Sequence, residues 1–182
     1  MHLVLRQSRN RHLRACSLNP MKTDLDPIAY FITWTVYGTY LQGDGRWWRK
    51  RGRSQRPQLL LEQWHRDRLK HNVVLLNANQ RHVVEAEIKK HCQHRNWHLW
   101  IANARTNHVH VVVTGTDYSG DKVRDQLKAN CTRALRAKFE VFLNRPVWTV
   151  GGDWKFINSE DDLEQAVIYV GEAQDRMKHK WG

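Results

Sequence analysis

Two histidines one residue apart, His108 and His110, head a run of valines in the segment TNHVHVVVTG. A run so rich in β-branched residues favours a buried strand. Side chains alternate between faces along a strand, so the two imidazoles share one face while Val109, Val111 and Val113 take the other. Adjacent imidazoles on one face are a ready pair of nitrogen ligands for a metal ion, and a half-exposed strand also tolerates two histidines. A second candidate, His91, His94 and His98 in HCQHRNWH, falls at spacings of three and four. No carboxylate or second cysteine completes it, so it reads as the polar face of a helix.

Near the C-terminus, Leu163, Ala166, Val167 and Val170 define an apolar helical stripe. At 3.6 residues per turn, Gln165, Tyr169, Glu172 and Arg176 run along another face. On the helix pattern alone, a tyrosine there reads as an amphipathic residue at the rim of the core.

The elements that must position these groups follow from periodicity. In AYFITWTVYG, Tyr30, Ile32, Trp34 and Val36 alternate with Phe31, Thr33, Thr35 and Tyr37, a strand pattern. Asn77 or Asn79 caps a helix to about Asn96, with Val84, Ile88 and Cys92 inward. HLWIANA and HVHVVVTG make an antiparallel hairpin through ART. Asp121 is expected to cap a helix whose inner stripe is Val123, Leu127, Ala134 and Leu135. VWTVGGDWKFI is a strand or short hairpin broken at Gly151-Gly152, and Ser159 with Asp162 resembles a capping box opening the last helix. The order β-α-β-β-α-β-α predicts an α+β fold: a ferredoxin-like split βαβ with a four-stranded antiparallel sheet and an additional C-terminal helix.

With 30 Lys+Arg against 18 Asp+Glu, the formal net charge is +12, which favours a polyanionic partner such as nucleic acid. The three cysteines, Cys16, Cys92 and Cys131, form no close-spaced pair, so neither a disulfide framework nor a cysteine zinc site is indicated. No apolar run approaches the roughly 20 residues of a membrane span, and MHLVLRQSRNRHLRAC does not read as a signal peptide. A cytoplasmic, nucleoid-associated protein is the expectation. Residues 1–27 read as a basic, poorly ordered extension, with Met21 a candidate start, and 28–182 as one domain containing a basic aromatic loop at 42–58.

The strand NHVHVVV, the following helix with Lys128 and Thr132-Arg133, and the helix bearing AVIYVGEAQD together resemble the single-tyrosine HUH transposases, which include small insertion-sequence and REP-associated enzymes. YGTYLQGDGR resembles a stretch found in part of that family. The resemblance covers roughly residues 30–174. It implies a metal-dependent transposase that binds hairpins in single-stranded DNA and cleaves and rejoins strands through a 5′-phosphotyrosine on Tyr169. Only about one phenol in a thousand is ionised at pH 7, so such an attack needs help. The implied metal ligands are His108 and His110 holding Mg²⁺ or Mn²⁺. Many relatives carry a glutamine or asparagine four residues after the tyrosine. Here that position is Ala173, which leaves Gln174 or Glu172 as the third ligand, Gln174 by way of a local bulge at Gly171.

DNA contacts are expected from two regions. On the second long helix, Arg124, Lys128, Thr132 and Arg136 form a ridge suited to phosphates, with Arg133 beside it. In the loop, Trp47 and Trp48 lie among Arg46, Arg49, Lys50 and Arg51, where an indole could stack on an unpaired base or instead anchor the loop. The family's active sites are assembled within one chain in some members and shared in trans by a homodimer in others. Two rival readings remain: a non-catalytic nucleic-acid-binding protein, and a replication or mobilisation nickase. An RNA-reading sheet would carry paired aromatics on its central strands, where this sequence has histidines.

Overall fold

The computed structural model describes residues 27–46, 48–50, 53–115 and 117–173, the side chains of Arg49, Lys50 and Ala173 excepted. The expected basic extension therefore lies outside the described residues, apart from Pro27. Strand β1 (Ala29–Thr35) is followed by a two-stranded hairpin, β2 (Trp48–Lys50) and β3 (Arg53–Gln55), and a short helix α1 (Leu59–Arg66). Helix α2 (Ala78–His94), strands β4 (His98–Ala104) and β5 (His108–Thr114), helix α3 (Gly120–Lys138), strand β6 (Asp153–Ile157) and helix α4 (Glu160–Ile168) complete the order. Without the β2–β3–α1 insertion this is the expected β-α-β-β-α-β-α.

The main sheet has the order β4-β5-β1-β6 with every neighbouring pair antiparallel, the ferredoxin-like arrangement. Alternation along β1 sends Tyr30, Ile32 and Trp34 to one face, where they meet Val109, Val111 and Val113 of β5. Helices α2 and α3 cover this face with stripes at four-residue spacing, Val84–Ile88–Cys92 and Val123–Leu127–Cys131–Leu135. Cys131 thus holds the buried place expected of Ala134, which is half-buried. On the opposite face α4 closes a smaller core of Ala29, Val112, Ile157, Leu163 and Val170.

Helix starts follow local chemistry. Asn77 and Gln80 form a reciprocal capping box at α2, and Ser159 accepts a hydrogen bond from the Asp162 N–H at α4. The cap of α3 is corrected: Ser119 is the boundary residue, without a side-chain cap bond, and Asp121 lies in the first turn, where its charge favours the helix dipole.

Candidate active site

The face of β5 turned toward α4 carries His108 and His110, their ring centroids 4.6 Å apart. Each ring is fixed through its Nδ1. His108 Nδ1 lies 2.7 Å from Asn107 Oδ1, an atom that can only accept, so Nδ1–H donates. His110 Nδ1 lies 2.7 Å from Thr33 Oγ1, the residue directly opposite on β1. With Nδ1 donating to Asn107, Nε2 of His108 keeps its lone pair. The Thr33 hydroxyl can accept from or donate to His110 Nδ1, and where it accepts, Nε2 of His110 is likewise a donor atom for a metal. His110 is 6% exposed. Burial, aided by His108 and Arg105, pushes its pKa down to about 3, so the ring is neutral and able to donate to a cation.

Tyr169 closes on the pair. Its ring meets His110 edge-on at 5.8 Å between centroids and Phe31 at 6.0 Å, while Phe31 stacks on His110 at 5.4 Å. Half-exposed at 40%, Tyr169 ends α4 and opens a π-helical segment, Tyr169–Ala173. Asn103 of β4, paired in register with His110, donates from Nδ2 to the Val170 carbonyl at 2.9 Å and ties this segment to the sheet. The local bulge expected near Gly171 is present. In a π turn, hydrogen bonds run from i to i+5, so residues five apart come closer to one face than in an α-helix. Gln174, five residues after Tyr169, lies outside the described residues.

Among the described residues no group of three His, Cys, Asp or Glu side chains is positioned to hold a metal ion. The two imidazoles suit a divalent ion whose remaining ligands are oxygens.

The expected DNA-contacting residues divide. Trp48 is 3% exposed and its indole N–H donates to the Arg56 carbonyl, so it anchors the hairpin and is no open stacking platform. Exposed Arg46 pairs with the buried Asp44 carboxylate at 2.6 Å and also donates to the Thr39 carbonyl. The Asp44 carboxylate is held below its usual range by that pairing, against an opposing burial effect that is the largest single contribution. Trp47 and Arg51, and the side chains of Arg49 and Lys50, lie outside the described residues.

The α3 ridge faces the 145–152 connection. Arg124 donates to the Gly152 carbonyl, Lys128 to those of Thr149 and Gly151, and Arg136 to that of Arg145, while Thr132 bonds back to Lys128 within the helix. Backbone carbonyls therefore take up much of this ridge, including the Lys128 ammonium. Arg133 is exposed beside it and bonds only as far as Asn130. At the decoy set, His91 sits between Gln126 and Asn130 against Trp97, a structural position.

Thr33, Asn107, Phe31 and Asn103 all shape the site and were not singled out from sequence. The signal for Thr33 and Phe31 was there: both belong to the β1 alternation opposite the Trp34 face.

An antiparallel ferredoxin-like sheet with a central two-histidine strand, and a helical tyrosine in contact with it, defines the class of this site. No protein-family model matches the chain, and no curated protein does. Among solved structures, the chain is similar to a REP-associated tyrosine transposase bound to a REP hairpin, at 17% identity and a TM-score of 0.45, covering 91% of this chain and 76% of that one. It is also similar to a protein of Deinococcus radiodurans R1 provisionally described as a transposase, at 10% identity and a TM-score of 0.43, covering 89% of this chain and 97% of that one.

Proposed function

We propose that this protein is a metal-dependent DNA transposase that binds hairpins in single-stranded DNA and cleaves and rejoins the strands through Tyr169. The observation that carries the proposal is the edge-on contact of Tyr169 with His110 inside a single chain. It brings a nucleophile type and a metal-ligand pair, far apart in sequence, to one surface.

His108 and His110 would hold Mn²⁺ or Mg²⁺ through Nε2, with Gln174 and oxygens of phosphate or water completing the shell. When bound, such an ion polarises the scissile phosphate and offsets its growing charge. The chain's own residues do the rest. Thr33 and Asn107 orient the two rings through Nδ1, and with Nδ1 as the donor in both contacts Nε2 is left to ligate. Phe31 and Asn103 set the approach of the tyrosine segment. The Tyr169 oxygen forms a bond to phosphorus as the bond to the 3′-oxygen breaks, and the proton lost by the phenol balances the one gained by the leaving 3′-hydroxyl. The 5′-phosphotyrosine keeps the ester energy, so attack by another 3′-hydroxyl reverses the step onto a new strand without ATP.

Incubation with hairpin oligonucleotides and Mn²⁺ should give a denaturant-resistant protein–DNA band, absent in Tyr169→Phe although that variant still binds. An unchanged adduct in Tyr169→Phe would move the nucleophile to Tyr37, Tyr40 or Tyr118 and remove the basis of the proposal.

A further inference from the structure

Two imidazoles fill only part of the shell of an ion such as Mn²⁺ or Mg²⁺, and the remaining ligands must be oxygens. One side chain on the neighbouring strand is placed to supply such an oxygen. We infer that Asn103 ligates the same ion as His108 and His110 through its side-chain oxygen Oδ1, while its nitrogen Nδ2 holds the tyrosine segment. The inference rests on the reading of the histidines as a metal centre and adds a ligand to it from the sheet itself.

Register places the residue. Asn103 of β4 is the antiparallel partner of His110. Side chains of such partners project to the same face of a sheet, with Cβ atoms about 4.5–5.5 Å apart. The next residue, Ala104, faces the other way and is buried in the core covered by α2 and α3. Asn103 therefore stands on the α4 face, on one side of His110, while Thr33 of β1 flanks that histidine from the other side.

Chemistry orients the amide. The Val170 carbonyl can only accept, so the atom that meets it at 2.9 Å is Nδ2. Carbonyls at the end of a helix lack intrahelical partners, which accounts for this bond. Val170 is itself fully buried in the core under α4, so the anchor is firm. Oδ1 is the other branch of the same planar group and takes no hydrogen bond from any of the described residues. An amide oxygen is a ligand type that hard divalent ions accept. Being neutral, it also leaves the charge of the ion undiminished for a phosphate. The residue four places after Tyr169 is Ala173, which has no donor atom, and an octahedral shell has room for Asn103 beside Gln174. With one amide holding both the ion and the residue next to Tyr169, metal binding and tyrosine position become coupled.

The test is isothermal titration of the full chain with Mn²⁺ alone, without DNA. Asn103→Ala removes the oxygen and the bond to Val170 together. Asn103→Asp keeps an oxygen in place and adds charge, but has no donor for the Val170 carbonyl. Loss of even an outer partner of a ligating histidine costs about 10- to 100-fold in affinity, so Asn103→Ala should bind Mn²⁺ about tenfold or more weakly than wild type. Asn103→Asp should bind at least as tightly as wild type. A residue that only anchored the helix end would give equal losses in both variants, and that result would overturn the inference. If the alanine variant does not fold, Asn103→Asp decides alone: weaker Mn²⁺ binding than wild type overturns the inference. Wild-type affinity in Asn103→Ala would remove this ligand and leave the histidine centre standing. A wild type that binds no Mn²⁺ would overturn the centre and the ligand together.

Discussion

Thr33 Oγ1 stands 2.7 Å from His110 Nδ1, across the β1–β5 ladder at the register position where the two residues face each other. One hydroxyl thereby sets the ring orientation of a buried histidine from a neighbouring strand. Thr33→Val keeps shape and strand propensity but removes that partner. Loss of an outer partner of a ligating histidine costs about 10- to 100-fold in metal affinity. Isothermal titration with Mn²⁺ should show a loss of that size, with the melting temperature shifted by only a few degrees. Unchanged affinity would mean that the hydroxyl does not tune the histidine.

The contact between Tyr169 and His110 lies within one chain, so the active site is expected to work in cis. Tyr169→Phe and His108→Ala should each fail to form covalent adducts with hairpin DNA. A mixture of the two variants should fail as well, because neither chain then holds a complete site. Recovery of adduct on mixing, scored on denaturing gels, would mean that tyrosine helices are exchanged between subunits.

Gly152 is the tightest backbone position beside the site. Gly152→Ala forces a Cβ toward the Thr33 carbonyl at a positive φ. Strain of this kind costs about 1–3 kcal/mol. Denaturant unfolding should give a loss of that order, and Mn²⁺ affinity should fall too, because Thr33 is the residue displaced. A Gly152→Ala variant as stable as wild type would mean that the turn relaxes at no cost.

What could be read from the sequence depended on distance along the chain. The valines of β5, the alternation of β1 and the four-residue stripes of α2 and α3 are each encoded within one element, and periodicity exposes them. The hairpin β2–β3 and α1 escaped because they are short and held from elsewhere: Trp48 bonds Arg56, and α1 packs so close to Gly43 that an added Cβ there would lie 2.4 Å from the Glu62 nitrogen. The site was half legible. His108, His110 and Tyr169 were nameable by type and spacing. Thr33, Asn103 and Phe31 acquire their roles only through strand neighbours, which no local pattern specifies. The α3 ridge shows a different limit, since a face of basic residues looks the same in sequence whether it meets phosphate or the carbonyls of a loop.

DNA binding should weaken steeply with salt. About six phosphate contacts to a single strand imply a log–log slope near −4. Exposed Arg133 is free of the carbonyl seam, so Arg133→Ala should flatten the slope by about 0.7 if it touches one phosphate. A flat response for the wild type would separate the +12 surplus from the DNA footprint.

Lys128 should behave differently, as a structural residue with its own pH signature. Burial is the largest cause that pushes its pKa down to about 8, Arg124 acts in the same direction, and Asp125 opposes. The unfolded chain keeps its proton up to about 10.5. Between those values the unfolded state binds the proton that the folded state has released, so stability from this group rises with pH across that window. Below pH 8 the cost of burying the charge is present in full. Lys128→Met removes the titration, so the stability of wild type relative to the variant should increase from pH 8 to 10.5, measured by urea unfolding at matched ionic strength. Because its ammonium already donates to Thr149 and Gly151, the same variant should leave the salt slope of DNA binding unchanged. A slope flattened as much as in Arg133→Ala would return Lys128 to the phosphate-binding surface.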